Sequence, residues 1–324
     1  MQKILVTGGA GFIGSHVVDA LVEQGKSVLI ADNLSTGKNA HVNPSENTYF
    51  FDVDITKRDR LEQIFRQHSD IDGVIHLAAQ SKASPSLDAP EHDANINIHG
   101  TVNVLELTKA YEVKNFIYAS SAAVYGDQQT LPIAEDVAVE PLSPYGVSKQ
   151  AGEEYVKAYR RLYDIDARVL RFANVYGPRQ SVDTEAGVIT IFVEQLLNGE
   201  QPGIYGDGKQ TRDFIYVTDV ASAILHCLFE EPSEPEESSP VYNVGTGQET
   251  SVEELLRELC AVMDQRYRPL YMEKRPGDIE KSYLDNRKLR ANYAWEPETS
   301  LADGLTATIA HAKRSDASYE KIDS

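Results

Sequence analysis

The first half of the chain alternates short apolar runs with stretches whose apolar residues recur every three or four positions. The apolar runs predict β-strands over residues 4–7, 27–33, 48–51, 73–79 and 115–121. The stretches between them predict helices that begin near residue 12, cover 61–65 and cover 97–111. Strands that alternate with helices form parallel sheets with right-handed crossover connections. The pattern therefore predicts an α/β fold with a doubly wound parallel sheet.

The second half is less regular and predicts helices over 188–198, 219–228 and 251–263 and a strand over 213–217. Asp219 is expected to cap its helix, and Ser251 and Glu254 have the spacing of a capping box. Residues 230–240 are rich in Glu, Pro and Ser and predict an exposed loop. The polar tail after Ala312 is expected to fray.

A glycine-rich turn lies between the first predicted strand and the first predicted helix. It has two overlapping patterns, Gly9-x-Gly11-x-x-Gly14 and Gly8-x-x-Gly11-x-x-Gly14. Such glycines allow a tight turn, a close approach of the backbone to a pyrophosphate, and close packing of helix on strand. The phosphates would lie at a helix N-terminus, where free N–H groups favour anions. The turn therefore predicts dinucleotide binding.

The ends of the following strands fit the same site. Asp32 ends the second strand about 20 residues after the glycines, where an acid binds the adenosine ribose hydroxyls and disfavours a 2′-phosphate. This favours NAD over NADP, although an aspartate there could also simply cap a turn. Ala78, Ala79, Ser120 and Ser121 end two other strands, and their small side chains would let a flat cofactor pass close to the backbone.

Composition narrows the class of protein. The 324 residues suffice for a large core and for two domains, or one domain with a lobe. The formal net charge of −19 argues against a nucleic-acid partner. Two cysteines, Cys227 and Cys260, and eight scattered histidines indicate no disulfide framework and no metal site. With no signal peptide and no long apolar run, we expect a cytoplasmic protein without a membrane segment.

Tyr145 and Lys149 are four residues apart, so on a helix they share one face. Pro144 suits a helix start and puts the pair in the first turns. A free tyrosine has a pKa of about 10. A neighbouring ammonium and a cationic nicotinamide ring would both favour its phenolate, which could then take a proton from a sugar or alcohol hydroxyl.

Further motifs occur in order along the chain: His76-Leu77-Ala78-Ala79-Gln80, 120–126, 143–149, 171–179, 211–217 and Arg275-Pro276-Gly277-Asp278. With the glycine turn, they make the chain resemble the extended short-chain dehydrogenases/reductases. Within that superfamily it resembles the UDP-glucose 4-epimerases and their relatives that accept N-acetylated sugars. The resemblance covers nearly the whole chain and implies a Rossmann fold.

The resemblance also implies a ligand and a role for particular residues. Ser121, Tyr145 and Lys149 would be catalytic. The cofactor would be NAD, bound by Gly8, Gly11, Phe12, Ile13, Gly14, Asp32, Asn33, Asp54, Ile55, Leu77, Ala78, Ala79, Asn97, Tyr145, Lys149 and Phe172. The substrate would be a UDP-sugar, bound by Ser121, Tyr145, Asn174, Tyr205, Arg212, Arg275, Asp278 and Ser282. Of these, the arginines match diphosphate ligands, and Asp278 matches the acid on the uridine ribose.

The implied reaction begins when Tyr145 takes the proton of the 4-hydroxyl while C4 gives a hydride to NAD. The resulting 4-keto sugar turns over and accepts the hydride on its other face. Sister 4,6-dehydratases carry an Asp-Glu pair just after the site serine or threonine, and UDP-glucuronate decarboxylases carry Glu at the second position. This chain has Ala122 and Ala123 there. The alternatives to a UDP-hexose 4-epimerase remain a 4,6-dehydratase, a decarboxylase, a UDP-glucuronate 4-epimerase and a non-catalytic NAD sensor.

Three further expectations follow from the resemblance. Ser282 matches a gate beside the sugar 2-substituent, where a small residue admits N-acetyl groups, although it could also be an ordinary exposed serine. Homodimerisation is expected through helices near 95–111 and 145–163. Residues 1–173 would form the NAD-binding domain, with 212–230 packing back onto it, and 174–324 a smaller mixed α/β lobe that binds the nucleotide sugar.

Overall fold

The molecule is organised around one large parallel sheet. The computed structural model describes residues 2–181, 187–233, 239–275 and 277–319, and in these residues a seven-stranded sheet lies beside three small sheets. The strands in chain order are β1 (Lys3–Thr7), β2 (Ser27–Asp32), β3 (Thr48–Asp52), β4 (Gly73–His76), β5 (Asn115–Ser121), β6 (Asp166–Phe172), β7 (Asn174–Tyr176), β8 (Gly203–Tyr205), β9 (Thr211–Arg212), β10 (Phe214–Tyr216), β11 (Val241–Val244), β12 (Thr250–Ser251), β13 (Leu270–Met272) and β14 (Lys281–Ser282). The large sheet has the order β11-β6-β5-β4-β1-β2-β3, and every neighbouring pair in it is parallel.

Helices cover both faces of this sheet and also form the lobe beside it. They are α1 (Phe12–Glu23), α2 (Arg58–Gln67), α3 (Ala83–Asp88), α4 (Pro90–Ala94), α5 (Thr101–Ala110), α6 (Pro144–Tyr163), α7 (Val188–Leu197), α8 (Val217–Phe229), α9 (Val252–Val262), α10 (Arg287–Tyr293) and α11 (Leu301–Tyr319). A π-helical segment, Asn95–Gly100, joins α4 to α5. Among these helices, none is long and apolar enough to span a bilayer.

The two faces of the sheet have separate hydrophobic cores. Successive side chains of a strand point to opposite faces, so Val6 and Ile30 pack with α1 and α8, whereas Leu5 and Leu29 pack with α2 and α5. Because both faces are buried, the central strands are apolar at nearly every position rather than alternating. The predicted doubly wound α/β fold is confirmed.

The lobe beside the sheet has a core of its own. Helices α7, α9 and α11 pack together through buried residues that include Phe192, Leu255, Leu259, Leu305 and Ile309. The short sheets β7–β10, β12–β9–β14 and β8–β13 lie in this half of the chain. The predicted capping box of α9 is confirmed, since Ser251 and Glu254 bond each other's backbone N–H groups.

Several predicted boundaries are wrong. The strand predicted over 73–79 ends at His76, because its neighbour β1 ends at Thr7 and gives way to the glycine turn. The helix predicted over 97–111 is the end of a longer helical run that begins at Pro90. Likewise the helix after Ala312 continues to Tyr319 rather than fraying there, because a formed helix propagates with little further cost.

Asp219 does not cap α8. The helix begins at Val217 with Tyr216 as its N-cap, so Asp219 lies in the first turn. Its carboxylate instead accepts hydrogen bonds from the backbone N–H groups of Glu298 and Thr299. The side chain therefore ties a distant loop to the helix. Within the loop predicted over 230–240, residues 234–238 lie outside the described residues, as do Pro276 and residues 320–324.

The seventh strand of the sheet returns from the second half of the chain. β11 pairs with β6, although the sequence-based boundary assigns 174–324 to the lobe. In addition, α8 packs against α1 on one face of the sheet. The large sheet therefore takes in residues beyond 173, and the division into two domains stays a prediction.

Asn243 on β11 joins the sheet to the loops around it. Its side-chain oxygen accepts a hydrogen bond of 2.6 Å from the hydroxyl of Tyr125. Its amide nitrogen donates to the carbonyls of Ile133 (2.9 Å) and Asp285 (3.1 Å). The side chain is fully buried, so no water can replace these partners.

Replacing Asn243 with alanine is expected to lower the free energy of unfolding by about 3 kcal/mol, because it leaves buried polar groups of Tyr125 and Asp285 without partners. Chemical denaturation followed by circular dichroism measures this. The matched control is Asn198→Ala at the exposed end of α7, which should change the stability by less than ~0.5 kcal/mol. Equal effects of the two substitutions would contradict the proposed role of Asn243.

Candidate active site

A cavity of about 340 Å³ opens at the carboxyl edge of the large sheet. The strands are parallel, so the residues that follow β1, β2, β4, β5 and β6 meet at this edge. The cavity brings together most of the predicted cofactor residues with Ser121 and Asn174. The predicted residues that line it are Gly8, Gly11, Phe12, Ile13, Gly14, Asp32, Asn33, Asp54, Ile55, Leu77, Ala78, Ala79, Ser121, Tyr145, Lys149, Phe172 and Asn174.

The glycine turn leaves no room for side chains. A Cβ on Gly8 would lie 2.7 Å from the backbone nitrogen of Ala78, and Gly8 has a φ of +72°, which favours glycine. A Cβ on Gly14 would lie 2.0 Å from the carbonyl oxygen of Gly8. Gly8, Gly11 and Gly14 line the cavity, whereas Gly9 faces Ile30 behind it. A bare backbone followed by the N-terminus of α1 fits a pyrophosphate.

Asp32 lies at the edge of this turn and is nearly buried. Its carboxylate accepts hydrogen bonds from the backbone N–H groups of Ala10 (2.9 Å) and Leu34 (2.8 Å). Burial raises the pKa of the Asp32 carboxyl, and these two bonds oppose the rise. The residue thus caps a turn and lines the cavity at once. Its contact with the adenosine ribose stays a prediction.

Helix α6 presents Tyr145 and Lys149 to the cavity. Ser143 caps the helix by accepting from the N–H of Gly146. Pro144 occupies the first turn, as the sequence predicts. Tyr145 therefore lies in the first turn and Lys149 one turn later. The ammonium of Lys149 donates a hydrogen bond of 2.8 Å to the carbonyl of Ala119 on β5. Because that strand ends at Ser121, all three predicted catalytic residues face the cavity.

Burial controls the protonation of this pair. It raises the pKa of the Tyr145 hydroxyl, and a hydrogen bond with Ser121 only partly offsets the rise. Burial also lowers the pKa of Lys149 to about 8. Desolvation of the hydroxyl is the largest influence on the pKa of Tyr145, and Lys149 donates its hydrogen bond to Ala119, so the expectation that the ammonium and the nicotinamide ring favour the phenolate stays a prediction.

Behind the cavity wall lies a polar network that the sequence patterns did not indicate. Asn97 was predicted to bind the cofactor, but it is buried and does not line the cavity. Its amide donates to the hydroxyl of Ser148 (3.0 Å) and to the carboxylate of Asp93 (3.2 Å), and its oxygen accepts from the N–H of Gln80 (2.8 Å). The side chain thus holds the loop after β4 against α6. Asn97 lies on a π-helical turn, and such turns are frequent at functional sites.

Two more buried groups lie beneath the cavity. His76 is hydrogen-bonded to the hydroxyls of Thr7 (2.7 Å) and Thr101 (3.0 Å), and burial lowers its pKa to about 3, so its ring is neutral. Glu153 accepts two hydrogen bonds from Arg171, of 2.8 and 2.7 Å. Glu153 follows Lys149 by four residues, so the two share one helix face. This spacing was the sequence feature that could have placed Glu153 near Lys149.

The remaining predicted substrate residues form a second group beside the cavity. Arg212 forms a 2.7 Å ion pair with Asp278, and the Arg275 guanidinium stacks 3.7 Å over the ring of Tyr205. Ser282 lies opposite Arg212 in the parallel pairing of β14 with β9. None of these five residues is among the described residues that line the cavity.

Asn174 connects the two groups. It lines the cavity, and its backbone N–H donates a 2.9 Å hydrogen bond to the carbonyl of Asp213, the residue after Arg212. Within the described residues, no cluster of three or more His, Cys, Asp and Glu side chains could hold a metal ion.

Comparison with known proteins assigns the family. Residues 4–245 match the model of the NAD dependent epimerase/dehydratase family. The chain belongs to this family. Because the family is NAD dependent, the cofactor is NAD, and the bare glycine turn at the start of α1 and the acid at the end of β2 fit that dinucleotide.

Similar proteins align along almost the entire chain. The UDP-glucose 4-epimerase of Mycolicibacterium smegmatis is 39% identical, and the alignment covers 95% of this chain and 97% of that protein. The crystal structure of the UDP-glucose 4-epimerase of Thermotoga maritima with UDP-glucose is 41% identical, with a TM-score of 0.91 and coverage of 97% and 99%. The UDP-N-acetylglucosamine 4-epimerase of Methanobrevibacter ruminantium in complex with UDP-N-acetylmuramic acid is 35% identical, with a TM-score of 0.89 and the same coverage.

Enzymes with other activities also align with the chain. A UDP-glucuronate 4-epimerase of Thermodesulfobacterium geofontis is 34% identical over 97% of both proteins. A dTDP-glucose 4,6-dehydratase of Neisseria gonorrhoeae is 31% identical over 95% of this chain and 94% of that protein. Family membership therefore indicates a nucleotide-sugar epimerase or dehydratase, and the substrate and reaction have to be argued from the site.

Gly14→Ala is expected to weaken NAD binding at least ~100-fold, because the new methyl group would overlap the Gly8 carbonyl and open the turn. Isothermal titration calorimetry on protein stripped of cofactor measures the affinity. Gly187→Ala is the control: it lines the same cavity, but its Cβ would meet Gln180 at an ordinary 3.5 Å. Unchanged affinity in Gly14→Ala would contradict this account of the turn.

Proposed function

We propose that the protein is a UDP-hexose 4-epimerase that interconverts UDP-glucose and UDP-galactose through a transient 4-keto sugar. The observation that carries the proposal is the convergence of Ser121, Tyr145 and Lys149 on the cavity that the glycine turn lines. Enzymes named UDP-glucose 4-epimerase that align along nearly the whole chain support the substrate class.

The three side chains have distinct roles in this proposal. Bound NAD supplies the hydride acceptor and donor. Tyr145 takes the proton of the sugar 4-hydroxyl when C4 is oxidised and returns it when C4 is reduced on its other face. Ser121 orients that hydroxyl, and Lys149 contributes the positive charge that a phenolate needs. Because burial raises the pKa of Tyr145, its deprotonation depends on this charge and on the cationic ring of the oxidised cofactor.

The residues after Ser121 favour epimerisation over the sister reactions. Ala122 and Ala123 begin the 3₁₀ turn that follows β5. Elimination of water requires an acid and a base near C5 and C6, and alanine supplies neither. A 4,6-dehydratase or a decarboxylase would lack its acid/base group at these positions.

The second group of residues is suited to a nucleoside diphosphate. We propose that Arg212 and Arg275 bind the diphosphate and that Asp278 binds the uridine ribose. Arg212 already donates to Asp278 and to the carbonyls of Thr211 and Ile279, so its guanidinium is held in one orientation. A pre-oriented arginine loses little side-chain entropy on binding an anion. These two arginines would therefore attract an anionic ligand although the net charge of the whole chain is negative.

The direct test is to incubate purified protein with UDP-glucose, adding no NAD, and to identify the sugars by NMR. Formation of UDP-galactose is expected, because the cofactor is regenerated in each cycle. A 4-keto-6-deoxy sugar or a pentose as the product would replace the proposal with dehydration or decarboxylation. No product even after NAD is added would favour a non-catalytic NAD-binding protein.

Tyr145→Phe is expected to lower kcat by about 10³-fold, because it removes the group that moves the proton. The NAD content of the purified protein, measured after denaturation, should remain, since the aromatic ring is retained. The control is Tyr49→Phe, a half-exposed tyrosine on β3, which should leave kcat unchanged. Similar rates for the parent protein and Tyr145→Phe would contradict the assigned role.

We further propose that Ser282 admits N-acetylated sugars, so that UDP-N-acetylglucosamine and UDP-N-acetylgalactosamine also interconvert. Its small side chain lies opposite Arg212, which carries the proposed diphosphate site. The M. ruminantium enzyme, which is named for an N-acetylated sugar, supports this range.

Ser282→Tyr is expected to lower kcat/KM for UDP-N-acetylglucosamine at least ~100-fold and to spare UDP-glucose, because a phenol ring would fill the space of the acetamide group. Assays with both substrates measure the ratio. Ser282→Ala, which stays small, should keep both activities. If Ser282→Tyr loses both activities or neither, Ser282 does not control substrate choice.

Homodimerisation stays part of the proposal. Helix α6 exposes several large apolar side chains, among them Val147, Tyr155 and Leu162. Such a row on one helix is typical of a protein interface, which supports the expected pairing through this helix. A cytoplasmic location likewise remains an expectation.

A further inference from the structure

We propose that Asp93 is the counter-charge that keeps Lys149 in its ammonium form, and that it thereby positions the Tyr145–Lys149 pair electrostatically. Asp93 does not line the cavity, so it touches neither ligand and acts through its neighbours. Its proposed importance for catalysis depends on the function proposed above, whereas its effect on Lys149 does not.

A short chain of hydrogen bonds leads from Asp93 to the catalytic helix. The Oδ1 atom of Asp93 accepts from the side-chain amides of Gln80 (3.0 Å) and Asn97 (3.2 Å). The same Asn97 amide donates to the hydroxyl of Ser148 (3.0 Å), and Ser148 donates to the carbonyl of Tyr145 (3.0 Å). Asp93 therefore faces the turn of α6 that lies between Tyr145 and Lys149.

The second oxygen of this carboxylate has no such partner. Oδ2 of Asp93 is buried, and among the described residues it accepts no hydrogen bond. The hydroxyl proton of Ser148 is engaged by the Tyr145 carbonyl. Burial raises the pKa of the Asp93 carboxyl, and the neighbouring Ser148 hydroxyl and the Lys149 ammonium oppose that rise. A buried carboxylate with an unpaired oxygen is costly unless an opposite charge lies nearby, and Lys149 supplies such a charge.

The other carboxylate near Lys149 is already neutralised. Glu153 lies one turn further along α6, but Arg171 binds both of its oxygens, and Ser120 donates a further hydrogen bond. The positive charge of Arg171 therefore largely cancels the effect of the Glu153 carboxylate on the pKa of Lys149. Asp93 has no guanidinium partner of this kind, so its charge acts on Lys149 with less compensation.

The remaining titratable groups around the pair do not take over this role. His76 on β4 is neutral, since burial lowers its pKa to about 3. Tyr118 on β5 is uncharged, since burial raises its pKa far above the neutral range. His92, next to Asp93 on α4, is exposed and supplies no negative charge.

The negative charge of Asp93 shifts the pKa of Tyr145 and the pKa of Lys149 in the same direction. The Asp93 carboxylate raises the pKa of Lys149, which burial otherwise lowers to about 8. It also raises the pKa of Tyr145. Removing the charge should therefore move the titrations of both groups to lower pH. A loss of packing alone would have no such effect.

Asp93→Asn tests the proposal because it removes the charge and keeps an oxygen for the two amides. The titration of Lys149 can be followed by NMR with ¹³Cε-labelled lysine, the resonance being assigned by its loss in Lys149→Met. In Asp93→Asn the midpoint should fall by roughly half a pH unit or more. Asp164→Asn, which removes an exposed carboxylate at the end of α6, is the control and should leave the midpoint unchanged.

The pH profile of kcat gives a second readout. Both limbs should move to lower pH in Asp93→Asn, because the Asp93 charge raises the pKa of Tyr145 and that of Lys149. An unchanged Lys149 midpoint, or a lower kcat with both limbs in place, would overturn the proposal. If Asp93→Asn does not fold, Asp93→Ser carries the same expectation. If no variant and no parent protein epimerises a UDP-sugar, the proposed function fails, and the substrate-free NMR titration still decides the role of Asp93.

Discussion

The hydrogen bond from the Lys149 ammonium to the carbonyl of Ala119 is the contact on which the site depends. It ties α6 to the strand that ends in Ser121, and so it fixes the distance between the two elements that supply the proposed reactive groups. Tyr145 lies one turn before Lys149 on the same helix, so its position follows from this contact. The cost of holding a cation there is large, because the ammonium is almost completely buried.

The parallel sheet makes this arrangement possible. Its strands end at one edge, where the glycine turn after β1, the acid that ends β2 and the small residues after β4 and β5 meet around one cavity. The buried charges beneath the cavity come from the helices and strands around it. Glu153 and Arg171 neutralise each other, whereas Asp93 is stabilised mainly by neutral amides and by Lys149. We therefore infer that the protonation state of the site depends on groups that do not line the cavity.

Local patterns predicted the parts of the site that are close in sequence. The glycine spacing, Asp32 at a strand end and the Tyr145–Lys149 interval each follow from the geometry of a single turn, strand or helix. The network of Asp93, Gln80 and Asn97 could not be predicted in this way, because its members reach Ser148 only after the chain has folded. For the same reason, no local sequence pattern predicted that β11 pairs with β6 in the large sheet. The raised pKa of Tyr145 was missed because burial cannot be read from the spacing of two residues.

The central claim is that C4 of the sugar is oxidised and then reduced by the same hydride inside one site. The most direct measurement is NMR of the UDP-galactose formed from UDP-glucose that carries deuterium at C4, with no NAD added. Retention of the deuterium at C4 of the product is the predicted result, because the hydride never leaves the protein. Exchange of the label with solvent hydrogen, or its appearance at another carbon, would contradict the account.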